Sequence, residues 1–341
     1  MTCKLCTQKE ADKKNTHYLT DSIIRLCLNE DGSNIREKGF MFDVSNSSPF
    51  VEFSFQRETS HNSIIEALGR EATDEEIESA KQNAFSVDYV FCSACEKLFT
   101  NIENNFTDNI LPKLRGNDLT GKTEVSFDEK IIIRKFFLLQ VWRTSVCDPS
   151  FYIPPKLQEQ LRKIIFNEDN TDINILQIPL NITYLNTLGD DFEYTKNLVG
   201  LGSIEGNSVI FFNDFIIQAF EDKDSAKYID IYGINSKDDF DYFTNSNEDR
   251  FLIKIIDNEK RIEVTKTYFE QERIGKILDF YKYIFQQQCI SAFGQLPLER
   301  LTNTFIHGII YGLDCTDENR YTLERFVNYA DNFFSKLYNY R

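Results

Sequence analysis

Proline, glycine and tryptophan are scarce in this sequence, with 7 Pro, 14 Gly and one Trp among 341 residues. That scarcity excludes collagen-like repeats, and no proline-rich or glycine-rich linker is visible. A membrane-spanning run is missing as well. The most apolar stretch, residues 131–142, is interrupted by Arg134 and Lys135; a bilayer needs about 20 apolar residues, so this stretch reads as a buried helix. The N-terminus opens on Cys3 and Lys4 without an apolar segment, so no secretory signal is expected. There is no GxxxxGK[ST], no GxGxxG behind a strand and no GxSxG, which argues against nucleotide-hydrolysing, dinucleotide-dependent and nucleophile-elbow enzymes.

Positive charge is also in deficit. Against 54 Asp and Glu stand 38 Lys and Arg, a net charge of −16. Such a surface repels phosphate backbones, so any contact with nucleic acid has to be local. Residues 166–260 carry 19 acidic and 7 basic side chains, whereas residues 110–145 carry 7 basic and 4 acidic. The second stretch is therefore the expected face toward an anionic polymer. Elsewhere the acidic surface serves solubility or a basic protein partner.

Aromatic residues are plentiful: 30 Phe and 16 Tyr. Each ring buries roughly 150–250 Å², so a large core is within reach. The length predicts two or three domains. Two alternating segments, Phe40, Phe42, Val44 and Val51, Phe53, Phe55, flank residues 45–49 and predict a β-hairpin. Short helices are expected at 63–69 and from Thr73, where Thr73-Asp74-Glu75-Glu76 fits a capping box. A strand at 87–91 leads into a helix whose Leu98, Phe99, Ile102, Phe106 and Ile110 share a face. Residues 116–121 mark a boundary. Beyond it helices are expected within 128–166, strands at 173–184, 209–220, 228–234, 251–256 and 261–265, and helices again within 267–340. The expected fold class is α+β, with an N-terminal zinc domain over 1–115 and a mixed β-rich and helical body over 122–341.

The sharpest chemical feature is a pair of CxxC motifs, Cys3-Lys4-Leu5-Cys6 and Cys92-Ser93-Ala94-Cys95. Each places two thiolates on one tight turn, and two such turns complete a tetrahedral zinc shell. The second opens a helix, which gives the two-knuckle pattern of a treble clef with a long insertion between the knuckles. The alternative is that all four are ordinary buried cysteines. Cys27, Cys147, Cys289 and Cys315 are isolated in sequence and read as core residues. Paired cysteines without a secretory signal favour a reducing, cytoplasmic setting.

His17 follows Cys6 by eleven residues. A CxxC, a His about ten residues on, and a strand entering a second CxxC followed by a polar residue resemble the zinc-containing HNH endonucleases. The resemblance covers about residues 1–110. It implies structural Zn²⁺ held by Cys3, Cys6, Cys92 and Cys95, His17 as the general base that activates water, and Mg²⁺ or Mn²⁺ near Glu96. The sequence departs from that family in having Thr16 before the His and Glu96 where His or Asn is usual. The strings KNTHYL, VFCSACEKLFTNIE and FFLLQVWRTSV resemble an uncharacterised group of bacterial HNH-like proteins. Proteins of HNH type recur as effectors in anti-phage systems, including the Septu type with an ATPase partner. The implied partners are therefore DNA and an ATPase or other effector subunit, with no membrane. The implied function is a metal-dependent DNA endonuclease, and the competing one is a zinc-stabilised, non-catalytic interaction subunit.

Several single residues carry two readings. His17 is a base or a structural histidine, and His61 is an alternative counterpart. Glu96 and Glu103 are two helical turns apart and share a face, so with His17 they can cage a metal; for Glu103 a solvated face is the simpler expectation. Arg143 is expected to pair with a buried carboxylate or stack on a ring rather than to meet phosphate. His307 lies in an apolar helical run and reads as a core residue. Asp190-Asp191, Asp238-Asp239 and Asp241 read as solvated loop carboxylates.

Overall fold

The computed structural model describes residues 1–29, 32–33, 40–43, 52–55, 60–80, 85–166, 175–188, 193–204, 207–246, 249–315 and 319–339. The expected turn at 45–49 and the pair Asp190-Asp191 lie outside them. The described residues form two compact units, one ending at Thr265 and the other made chiefly of Lys266 onward.

The first unit begins with β1 (Thr16–His17) and α1 (Asp21–Leu28). The expected hairpin strands follow as β2 (Phe40–Asp43) and β3 (Glu52–Phe55), paired in a two-stranded sheet. Next come α2 (His61–Leu68) and α3 (Asp74–Ala80). The capping box forms as the sequence predicts: Glu76 accepts from the Thr73 N–H at 2.8 Å, and the Thr73 hydroxyl accepts from the Glu76 N–H at 3.2 Å. Then β4 (Ser86–Val87) returns to pair antiparallel with β1, and α4 (Ser93–Asn109) starts at the second CxxC.

A seven-stranded mixed sheet follows, built from β5 (Glu124–Phe127), β6 (Leu180–Leu185), β7 (Leu198–Ile204), β8 (Asn207–Asn213), β9 (Phe215–Ala219), β10 (Thr244–Asn245) and β11 (Phe251–Ile256). The spatial order is β5-β11-β6-β9-β8-β7, with β10 also on β6; only β6 and β11 run parallel. Every residue of β6 is buried, as expected for a central strand covered on both faces. On β9 of the sheet packs α5 (Lys130–Cys147), and α6 (Pro155–Phe166) packs on α5. The phenylalanines join these layers. Phe106 of α4 stacks on Phe136 of α5 at 3.8 Å between ring centres, and Phe137 meets Phe215 of β9 at 5.2 Å.

Several strand expectations are corrected. The one at 87–91 contracts to the two residues of β4 (Ser86–Val87). Residues 209–220 are two strands, because Asn213 takes a left-handed φ of 59° and forms a two-residue turn with Asp214, bringing Phe212 opposite Phe215. Residues 228–234 form a turn in which Asp230 accepts from the Gly233 N–H at 2.8 Å, with Tyr232 and Gly233 both at positive φ. Residues 261–265 lie within the helix Asn258–Tyr268, whose start is capped by Asp257 accepting from the Lys260 N–H at 2.8 Å. The strand expected from 173 begins only at Leu180. Asp239 is more than a solvated carboxylate: it completes a capping box with Ser236 and pairs with Lys254 at 3.0 Å.

No helix among the described residues is long and apolar enough to cross a membrane. The second unit continues from the π-helical segment Phe269–Gly275 into helices Lys276–Phe293, Glu299–Tyr311 and Leu323–Asn339. Stacked rings hold it together, Phe285 on Phe305 at 4.2 Å and Tyr281 on Phe326 at 4.7 Å. Gly308 gives the Tyr329 ring its place there, since a Cβ would sit 1.7 Å from the Tyr329 hydroxyl and push that ring aside. His307 is exposed, contrary to expectation. Phe305 and Ile309 take the inner face of that helix, and His307, two residues from each, points the other way.

Candidate metal centre and adjoining cleft

The first cysteine pair lies on a tight knuckle. The Thr7 N–H donates to the Cys3 carbonyl at 2.9 Å and the Cys3 N–H to the Lys9 carbonyl at 2.8 Å, with Thr7 at a positive φ of 54°. The Lys4 N–H donates to the Val90 carbonyl at 3.0 Å, which fastens this knuckle beside the second. There Cys92 precedes α4 and Cys95 lies in its first turn. Asp12 secures that helix start by accepting from the Ser93 N–H at 2.7 Å and the Ser93 hydroxyl at 2.9 Å.

All four thiol sulfurs lie within 4.8 Å of one another, and Cys6 Sγ is 4.0 Å from Cys92 Sγ. Zinc–sulfur bonds of about 2.3 Å in a tetrahedron put the sulfurs about 3.8 Å apart, so a small contraction completes the shell. Each cysteine is at most 4 % exposed. Burial pushes the Cys3 and Cys95 thiols up. Cys6 feels the same desolvation, but the backbone N–H groups of Gln8 and Lys9 outweigh it and hold its pKa at about 7. Four buried sulfurs with amide donors aimed at one of them suit a soft or borderline cation such as zinc. Leu5 is fully buried, and the rings of Phe91, Phe99 and Trp142 cluster with centres 5.0–6.3 Å apart.

The strand after the first knuckle and the strand before the second carry a second feature. β1 and β4 pair with His17 opposite Ser86, and the Tyr18 N–H donates to the Phe85 carbonyl at 2.8 Å. His17 thereby reaches the same polar cleft of about 330 Å³ as Glu96, Glu103, Arg143, Lys13 and Lys14. Burial raises the Glu96 carboxyl above the usual glutamate range, opposed by the nearby Thr16 hydroxyl and the Arg143 charge. The Thr16 hydroxyl is near Glu96 without hydrogen-bond geometry, and Glu96 Oε1 is buried without a hydrogen-bond partner among the described residues.

Glu103 corrects the expectation of a solvated face. Its Oε1 accepts from Arg143 Nη2 at 2.5 Å and from the Thr20 hydroxyl at 2.7 Å. Arg143 is 2 % exposed and lies over the Phe99 ring at 5.3 Å, the carboxylate pairing and ring stacking that the sequence favoured. Gln140 Oε1 accepts from the Thr20 N–H at 3.0 Å and from Arg143 Nη2 at 3.2 Å. Thr20 and Gln140 were not among the sequence candidates. Their signals were weak: a threonine just before a helix, and one amide inside an apolar run, where an unpaired polar group is costly.

His61 is exposed at the first position of α2 and does not line the cleft. Much of the positive charge of 110–145 is engaged internally. Arg134 and Arg143 are buried, Arg115 is ion-paired with buried Asp214, and Lys113 is paired with Glu129. The exposed lysines beside the cleft are Lys13 and Lys14 instead. No protein-family profile, no curated protein and no solved structure matches the chain.

Proposed function

We propose that the cleft is a divalent-cation-dependent hydrolytic centre for phosphodiesters, beside a structural zinc shell of Cys3, Cys6, Cys92 and Cys95. The observation that carries this reading is the meeting of His17 and Glu96 in one polar cleft, with Glu96 next in sequence to the fourth cysteine. The order of knuckle, paired strands and helix supports a treble-clef arrangement, with the intervening segment as its insertion. His17 takes the proton from the attacking water. Glu96 and the second oxygen of Glu103 would hold Mg²⁺ or Mn²⁺, hard cations that prefer carboxylates, and the ion would supply positive charge to the leaving oxygen as its bond to phosphorus breaks. Arg143 holds Glu103 in place through Oε1.

A titration of Mn²⁺ onto zinc-loaded protein by calorimetry tests the reading, with wild type beside His17→Ala and Glu96→Ala. The expected result is a second site that weakens about tenfold or more in Glu96→Ala, persists in His17→Ala, and accompanies DNA cleavage lost in both. One equivalent of zinc and no further binding overturns it. A second reading, a zinc-stabilised subunit that docks a protein partner, is favoured by the exposed Leu298, Tyr311 and Leu313 of the second unit, 80 %, 66 % and 109 % accessible.

A further inference from the structure

We infer that the strand entering the cleft is a single-stranded nucleic acid, gripped at the rim by Tyr89 together with Lys13 and Lys14. This rests on the hydrolytic reading and narrows its substrate class.

Tyr89 is a large aromatic side chain held out in solvent, 42 % exposed. The neighbouring rings turn inward: Phe91 is fully buried, and Phe85 packs on Tyr18 with ring centres 5.9 Å apart. The backbone at Tyr89 has a φ of 57°, a left-handed conformation that a tyrosine adopts at a cost of roughly 1–2 kcal/mol. The segment is nonetheless well fastened. The Tyr89 N–H donates to the Lys13 carbonyl at 2.6 Å, the Lys13 N–H to the Phe91 carbonyl at 3.1 Å, and the Asn15 N–H to the Asp88 carboxylate at 2.8 Å. Lys13 and Lys14 are exposed and line the cleft. The Lys14 ammonium sits 5.2 Å from the Tyr89 ring centre. One ring and a neighbouring ammonium therefore stand together at the edge of a cleft that Lys13 and Lys14 both line.

That pairing of an exposed ring with lysines matches a splayed strand: a base stacks on the ring while the lysines take the flanking phosphates. Stacking on an aromatic side chain is sequence-tolerant and contributes on the scale that single substitutions can read. In a duplex the bases already stack on one another, so Tyr89 would have nothing to receive. A duplex also presents twice the charge to a protein of net charge −16 whose basic stretch at 110–145 is largely buried or paired. The cleft volume of about 330 Å³ is at the small end for ligand sites and suits one nucleotide rather than a double helix.

The test is fluorescence anisotropy with the zinc-loaded full chain and no added divalent cation, so that binding is read without turnover. The probes are labelled oligothymidylate, labelled oligouridylate and a labelled duplex of equal length; the first two separate DNA from RNA. Single strands are expected to bind more tightly than the duplex. Tyr89→Ala should weaken them about tenfold and Tyr89→Phe should not. Replacing Lys13 and Lys14 by Ala should flatten the salt dependence by about 1.4 in log–log slope. Equal or tighter duplex binding, indifference to Tyr89→Ala, or no binding of any probe overturns the inference. The hydrolytic reading fails separately: intact single-strand binding with no cleavage in Mn²⁺ removes that reading alone, and cleavage of a duplex unaffected by Tyr89→Ala removes this one alone.

Discussion

Two arginines of the first unit pair with carboxylates, Arg143 buried and Arg115 partly exposed, and their surroundings are opposite. Arg115 grips Asp214 with two bonds, Nε to Oδ2 at 2.6 Å and Nη2 to Oδ1 at 2.8 Å, and Asp214 is fully buried. The same Nη2 donates to the Ile23 carbonyl at 3.1 Å, which also accepts from Asn213 Nδ2 at 2.7 Å. The guanidinium lies over the Tyr194 ring at 5.2 Å. This is a latch between α1 and the β8–β9 turn, with the fork geometry of arginine used in full. Arg143 instead makes all its described bonds through Nη2, to Glu103, Thr20 and Gln140, while its buried Nε has no partner among the described residues. Glu103 keeps 19 % of its side chain exposed, and both residues border the cleft. A buried guanidinium whose Nε is left without a partner lowers stability. It is the kind of place where a bound ion or phosphate completes the set.

The sharpest break of this comparison comes at the latch. Asp214→Asn keeps the turn and the shape but leaves Arg115 as an uncompensated, largely buried charge. Unfolding in urea should show a loss of about 3–5 kcal/mol, while Mn²⁺ affinity of the folded protein stays at the wild-type value. A loss below about 1 kcal/mol would mean that the Arg115 pair is no more structural than a surface one. At the cleft the corresponding change, Glu103→Gln, keeps an oxygen for Thr20 and should remove only about 1–3 kcal/mol. Its larger effect should fall on Mn²⁺ binding. If Glu103→Gln instead unfolds the protein as strongly as Asp214→Asn and leaves Mn²⁺ untouched, the two pairs are alike and the cleft carries no second site.

The contrast between the two pairs also explains what the sequence could reveal. The four cysteines carry their geometry in their spacing, because a CxxC fixes two sulfurs on one turn regardless of what lies between the pairs. The helical segments 130–147 and 155–166 were visible from apolar periodicity and length. Arg115 and Asp214 gave no such signal: they are 99 residues apart and meet only because a two-residue turn at Asn213-Asp214 cuts a long apolar run in half. The Asn-Asp step was the available clue. The charge balance of 110–145 overstated the cations that stretch presents, because Arg115, Arg134 and Arg143 each donate to a carboxylate or carbonyl from a distant segment. Glu103 was misjudged for the same reason, since its partner lies 40 residues away on α5.

The smallest effect separates the cleft from the latch by pH. Burial raises the Glu96 carboxyl in the folded protein, with Arg143 only partly opposing it. A carboxyl whose folded pKa exceeds its unfolded value binds its proton more tightly when folded. Below the ordinary glutamate value of about 4.3, both states are protonated and Glu96 imposes no penalty. As pH rises through the raised folded value, the buried carboxylate must ionise and stability falls. Glu96→Gln should therefore gain on wild type across that window and hold a constant advantage above it. Asp12, whose carboxyl is lowered by its bonds to Ser93, titrates identically in both proteins and cancels from the difference. Saturating Mn²⁺ should erase the advantage by giving the carboxylate a partner. Melting temperatures of the pair at a series of pH values, with and without Mn²⁺, read this directly. A difference that ignores both pH and Mn²⁺ would reduce Glu96 to an ordinary helix-surface glutamate and leave Glu103 and Arg143 as a second structural latch.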